Sequence, residues 1–251
     1  MCIRDRVIIF TLLFSQNIFA VHSSDSLYVW ALSGLNMRAT PDLKGKKIMT
    51  IPFGKKVKVE HFYGKELTIQ VIKPYVNGKT NYDGFKMKGF WSKVSYQNKS
   101  GYVFSGYLSA LPLVEVELKE TKNGNQKLVS KEDIKQWAEQ NFGILNTIER
   151  YDSLNEHRMK RHIYANGIVI IEESGKCHGQ KIIIPNVTYN EIFLLVNLVW
   201  QIEQDFLLKD EESAWIQKQT DTEFYGPLDT MCNFVVNHAL NVGVIAFDCC
   251  C

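Results

Sequence analysis

The chain has 251 residues, 45% hydrophobic and 22% charged, the proportions of an ordinary globular protein, which exclude a chain disordered throughout. That length accommodates two compact domains. The net charge of +2 conceals a division, because residues 26–112 hold 14 lysines and arginines against 4 acids, a balance of +10, and residues 113–251 hold 13 against 21, a balance of −8.

At the amino terminus, Met1 to Arg6 reads like a translated transposase adapter. Val7 to Phe14 is apolar except for Thr11, and Ala20 offers a cleavage site, so residues 1–20 are expected to be a signal peptide. The run is too short to span a bilayer. A buried amino-terminal strand is the competing reading. Export to the periplasm or the extracellular space follows from the signal peptide, and export disfavours nucleic acid as a partner. No cysteine follows the apolar run, so a lipid anchor has no support.

Leu27 to Ala31 predicts a strand that runs into the Ser33-Gly34 turn, after which Leu35 and Met37 alternate with Asn36 and Arg38 up to Pro41. Ile48 and Ile51, a Pro52-Phe53-Gly54 turn and the Val57/Val59 alternation continue the pattern. His61 to Lys88 is the least regular stretch. Leu67 to Ile72 reads as a strand there and Asn77-Gly78 as a two-residue turn, so an extra hairpin is expected. Phe90 to Tyr96 pairs through the Gln97–Ser100 turn with Gly101 to Phe104, and Gly101-Tyr102-Val103-Phe104-Ser105-Gly106-Tyr107-Leu108 closes the domain.

The Gly-Leu-Asn-Met-Arg opening, the Ile-Pro-Phe-Gly turn and the Gly-Tyr-Val closing strand resemble the bacterial SH3-like (SH3b) domain. The resemblance covers about residues 27–112 and implies a small closed β-barrel, a fold that limits exposed strand edges. It implies an address in the cell envelope more firmly than it implies an activity. Tyr28, Trp30, Trp91, Tyr102 and Tyr107 belong to an aromatic set large for such a barrel, so some of them are available to stack on sugar rings or peptide. With Asn36 and Arg38 they are the candidate ligand-binding residues; the alternative is that most of the aromatics fill the barrel and that Asn36 and Arg38 only bond the turn and strand.

Residues 113–129 read as a linker, and residues 130–251 as an α+β domain of antiparallel strands with one long packed helix. Ser130 with Asp133 caps a helix to about Gln140, and Phe142-Gly143 stops it. Ile148 to Lys160 has poor periodicity. His162-Ile163-Tyr164 and Ile168 to Ile171 flank an Asn166-Gly167 turn, and Lys181 to Ile184 is a further strand. Thr188 and Glu191 form a capping box, with Val187 and Ile192 as a hydrophobic staple, for a helix expected to reach about Leu207. Asn197, Gln201, Glu203 and Asp205 keep this helix from being a membrane span. Strands near Met231–Val236 and Val242–Phe247 close the chain.

After Cys2 the chain keeps Cys177, Cys232, Cys249, Cys250 and Cys251, all disulfide candidates in an exported protein. A bridge from Cys177 or Cys232 to the terminal cluster would fasten the last strand to its sheet. The spacing matches no zinc pattern, so neither a metal nor another cofactor is expected. Cys232 with His238 is the one nucleophile and base pair that can be nominated, and neither Cys177 nor Cys232 opens a helix as an activated thiolate would. The sequence therefore points to an exported, non-enzymatic module whose barrel binds a cell-wall or envelope component, peptidoglycan peptide or anionic polymer. A hydrolase in the second domain, and a barrel that merely docks on the acidic domain, are the alternatives.

Overall fold

The structure is a computed structural model, and it describes residues 26–120, 124, 126–154, 156–200, 202, 216–227 and 232–250. The expected signal peptide, Cys251 and the stretch that would carry the last helix on to Leu207 lie outside these described residues.

The first half is a curled seven-stranded sheet. Its strands are β1 (Ser26–Val29), β2 (Leu35–Arg38), β3 (Lys47–Ile51), β4 (Lys56–Ile72), β7 (Phe85–Tyr96), β8 (Lys99–Phe104) and β9 (Leu108–Ser109), and the short pair β5 (Tyr75–Asn77) and β6 (Thr80–Tyr82) intervenes. The strand order is β3-β2-β8-β7-β4-β1-β9. Gly34 and Gly54 take φ of 82° and 78° in the two turns that glycine was expected to serve. Leu35, Val57 and Val103 meet in one interior with Val29, Met37, Ile51 and Val94, but the sheet is a curled half-barrel whose β3 and β9 are not paired with each other, so the expected closed barrel is not completed.

The irregular stretch differs from its expected form. Leu67 to Ile72 does not belong to a separate hairpin. It continues β4, a strand of 17 residues, and pairs with the start of β7 across register shifts near Val59, Tyr63 and Gln70. The Asn77-Gly78 turn does form a hairpin, β5 with β6.

The expected linker is structured. In it β10 (Val116–Glu120) pairs antiparallel with β11 (Gln126–Ser130) as the β10–β11 hairpin, with Val114 and Val129 buried. Next come α1 (Ile134–Phe142), β12 (Ile144–Asp152), β13 (His157–Tyr164), β14 (Val169–Ser174), β15 (Cys177–Pro185), α2 (Tyr189–Trp200), β16 (Lys218–Gln219), β17 (Glu223–Pro227), β18 (Cys232–Ala239) and β19 (Val242–Cys250). The strands from β12 onward form one antiparallel eight-stranded sheet, order β12-β13-β14-β15-β19-β18-β17-β16. Asp133, not Ser130, is the N-cap of α1, in a capping box with Gln136. The Thr188/Glu191 box is present at the start of α2.

The architecture is mostly β, with two α-helices of 9 and 12 residues among the described residues, and does not confirm an α+β second half built on one long helix. The strand content was hidden because β12 is exposed at eight of its nine positions, so it carries none of the alternation by which a half-buried strand is read.

The halves share a core. Along β1 and β8, successive side chains go opposite ways: Val29 and Val103 enter the barrel interior, and Trp30 and Phe104 enter a second core with α1, α2 and the large sheet. Phe85 of β7 stacks on Phe193 of α2, ring centroids 3.6 Å apart and planes 6° off parallel. Gln219 bonds both backbone groups of Lys86, accepting from its N–H and donating to its carbonyl, each at 2.7 Å. Ser109 donates to Glu191 at 2.7 Å, and Lys88 pairs with Asp221 at 2.7 Å.

Candidate functional site

Where the two halves meet, the sheet of the first does not close fully on the second, and a cleft of about 860 Å³ remains. The β1–β2 turn, from Trp30 to Leu35, forms one wall with Ile69 and Val71 of β4, Trp91 of β7 and Phe104 of β8. Leu118 and Leu128 of the β10–β11 hairpin and Phe193, Leu194 and Asn197 of α2 form the opposite wall. Apolar side chains dominate the lining, and among the described residues Arg38 and Lys127 are its cations and no carboxylate lines it.

Two polar atoms of this lining stand out. The indole Nε1 of Trp30 and the amide Oδ1 of Asn197 are buried and have no hydrogen-bond partner among the described residues. One is a donor and the other an acceptor. Leaving such a group buried and unpaired costs about 1–3 kcal/mol. Trp30 is held in place regardless, since its backbone N–H donates to the Tyr107 carbonyl at 2.9 Å and its ring meets Phe53 edge-on at 6.4 Å.

The structure separates the seven candidate residues into two groups. Trp30, Asn36, Arg38, Trp91 and Tyr107 line the cleft. Trp30 and Trp91 are buried, Arg38 donates from Nη1 to the Gly45 carbonyl at 2.7 Å, and Asn36 accepts from the Thr50 hydroxyl at 3.1 Å. Burial pushes the Tyr107 phenol above its usual pKa. Tyr28 and Tyr102 lie elsewhere, Tyr28 under the Lys56 ammonium at 4.7 Å and Tyr102 edge-on to Tyr63 at 5.7 Å. Sequence reasoning missed the contribution of α2 and the β10–β11 hairpin. Its available signal was Asn197, a polar residue in the middle of the apolar face of a core helix.

The basic surface of the first half is separate from the cleft. Lys44, Lys46, Lys47, Lys55, Lys56 and Lys58 are exposed on β3, β4 and their turns. The contacts between the halves combine apolar packing and neutral hydrogen bonds with those of Glu191 and the Lys88–Asp221 pair, and none of those named uses these six lysines, which are exposed.

The cysteines lie at the far end of the large sheet. Cys232 and Cys249, directly opposite each other on β18 and β19, form a disulfide, and Cys177 is disulfide-bonded as well. Cys250 lies opposite Cys177 in the register of β15 and β19. The nominated Cys232/His238 pair is not assembled: the sulfur is bonded to Cys249, and His238 donates from Nε2 to the Val187 carbonyl at 2.8 Å. No group of three or more metal-ligating side chains converges among the described residues, and no described helix is long and apolar enough to cross a membrane.

No curated protein and no solved structure matches the chain. The family assignment rests on the first half, where the turn glycines, the barrel interior and the closing strand are found together: residues 33–109 match the bacterial SH3 domain.

Proposed function

We propose that this protein is an exported, non-enzymatic binding module of the cell envelope, and that its cleft holds a peptide-containing wall component while the exposed lysines favour an anionic surface around it. The observation that carries the reading is the open cleft between the halves, apolar along Trp30, Trp91, Phe104 and Phe193 and with Arg38 and Lys127 as its cations. The apolar lining suits the side chains of a peptide, and the two cations suit its carboxylates. The disulfide between Cys232 and Cys249 supports an oxidising compartment, in keeping with the expected export. The bacterial SH3 domain, commonly a cell-wall binding module, supports the same address.

The test is co-sedimentation of the protein with purified peptidoglycan at low and high salt. Salt is expected to weaken but not abolish binding, because it screens the lysines and leaves the cleft contacts. Trp30→Phe removes part of the indole and its N–H from the cleft wall and is expected to lower affinity about tenfold; the smaller ring also costs some core packing, so thermal denaturation checks that the variant is folded. Equal recovery in the supernatant with and without polymer rules the function out. Full binding by Trp30→Phe rules out the cleft.

A further inference from the structure

Among the described residues β12 is an outer strand of the eight-stranded sheet, and it is unlike the other edges of the two large sheets. The opposite edge, β16, is two residues long and lies beside the first half through the bonds of Gln219 to Lys86. In the first sheet β9 is also two residues long, and β3 carries Lys47 beside exposed Lys46. Short strands and lysines are the usual protections of an edge. β12 has nine residues, no proline and no lysine, its three charges, Glu149, Arg150 and Asp152, leave a net of only −1, and its one bulge is confined to its start, between Ile144 and Asn146. Of the ten large apolar side chains exposed among the described residues, four, Ile144, Leu145, Tyr151 and Leu154, lie on β12 or in the turn after it.

We infer that β12 is a homodimer interface, at which a second copy of this chain adds its own β12 antiparallel across a two-fold axis and joins the two large sheets into one. The register follows from symmetry. In an antiparallel ladder, hydrogen-bonded and non-hydrogen-bonded pairs alternate. A two-fold normal to the sheet must map each pair onto one of the same kind, so it passes through a residue that faces its own copy. If that residue were Glu149 or Arg150, like charges would oppose. If it were Thr147, Glu149 would face the partner's Leu145 and Arg150 the partner's Ile144. With Ile148 at the centre, Ile148 meets its own copy, Thr147 faces the partner's Glu149, Asn146 faces the partner's Arg150, and Leu145 comes opposite the partner's Tyr151. Hydroxyl meets carboxylate, amide meets guanidinium, and Leu145 and Tyr151 cover each other, which are favourable cross-strand pairs; one apolar residue, Ile144, faces a charge, the partner's Asp152, against two such pairs in the Thr147-centred register.

The partner's strand also continues a surface already present. Ile148 stands in a register row with Arg161, Ile171, Lys181, Ala246 and Val235 across the sheet. A second copy doubles that row without introducing a like-charge contact at the seam.

Sedimentation velocity of the full chain, followed over a dilution series, reads the mass directly. The expected result is a concentration-dependent shift from 28.9 kDa towards twice that value. Ile148→Lys opposes two ammonium groups at the axis and is expected to move the midpoint at least tenfold upward in concentration. Ile148→Cys tests the register without adding charge: on mild oxidation it is expected to give a covalent dimer on a non-reducing gel, whereas Arg150→Cys, placed away from its own copy, gives none above the wild-type background. A monomer at every concentration overturns the proposal, as does a dimer that Ile148→Lys leaves unchanged. Equal cross-linking by the two cysteine variants overturns the register and with it the interface.

Discussion

The two large sheets of this molecule treat their faces differently. The first is buried on both: its concave side closes on Leu35, Val57 and Val103, and its convex side, through Trp30, Phe85, Met87 and Phe104, lies on the second half. The second is buried on one side only, under α1 and α2, and on the other leaves Ile163, Val169, Ile171, Ile183 and Val244 half-exposed. A bacterial SH3 barrel is self-sufficient inside but contributes a second apolar face here, so the two halves are joined by core rather than by a flexible tether. Their opposite charges have little to do with it. The cleft exists because of this arrangement, since it is the part of the shared face where the halves do not meet.

The largest test of that comparison is to break the shared core. Phe193→Ala removes one ring of the Phe85 stack and is expected to cost about 3–5 kcal/mol, the usual range for a buried phenylalanine. Chemical denaturation followed by both tryptophan fluorescence and far-ultraviolet circular dichroism should show one coincident transition in the wild type. A barrel transition that does not move in Phe193→Ala would mean that the halves are energetically separate.

A smaller effect isolates the second sheet. The Cys232–Cys249 bridge closes a loop of sequence separation 17, and replacing both cysteines by serine is expected to lower stability by about 3 kcal/mol. Because the bridge joins β18 to β19, amide exchange should rise first along those strands and leave β2 and β8 protected. Equal loosening of both sheets would show that the core transmits the loss.

The third test contrasts two buried polar groups. Tyr164, fully buried with an unpartnered hydroxyl, has its phenol pushed up to about 12 by burial and by the nearby carboxylates of Glu139, Glu172 and Asp133. The folded state therefore holds this proton more tightly than the unfolded state does. Stability from this group is complete below pH 10 and is lost as pH rises towards 12, by roughly 2 kcal/mol. Tyr164→Phe should remove that share of the alkaline loss, measured as the difference in denaturation midpoint between variant and wild type across that window. An unchanged profile would place the loss in other residues. Tyr164 lines no part of the cleft, so the same variant should bind peptidoglycan like the wild type, unlike Trp30→Phe.

Much of the molecule is legible in the residues alone, wherever the determinant is local. Gly34 and Gly54 mark turns that need positive φ, Leu35 and Met37 alternate because one face of β2 is buried and the other is not, and Thr188 with Glu191 announces α2 within four residues. Those signals act over a few residues and do not depend on the rest of the chain. The length of β4, the existence of β12, the choice of Cys249 as the partner of Cys232 and the placing of Trp30 and Asn197 along one cleft depend on which distant elements become neighbours. No local pattern records them, because an edge strand exposed on both faces has no alternation and a long strand with bulges changes its phase along the way. Only the packing of one curled sheet against two helices decided that the barrel would have a second face, and where that face would stay open.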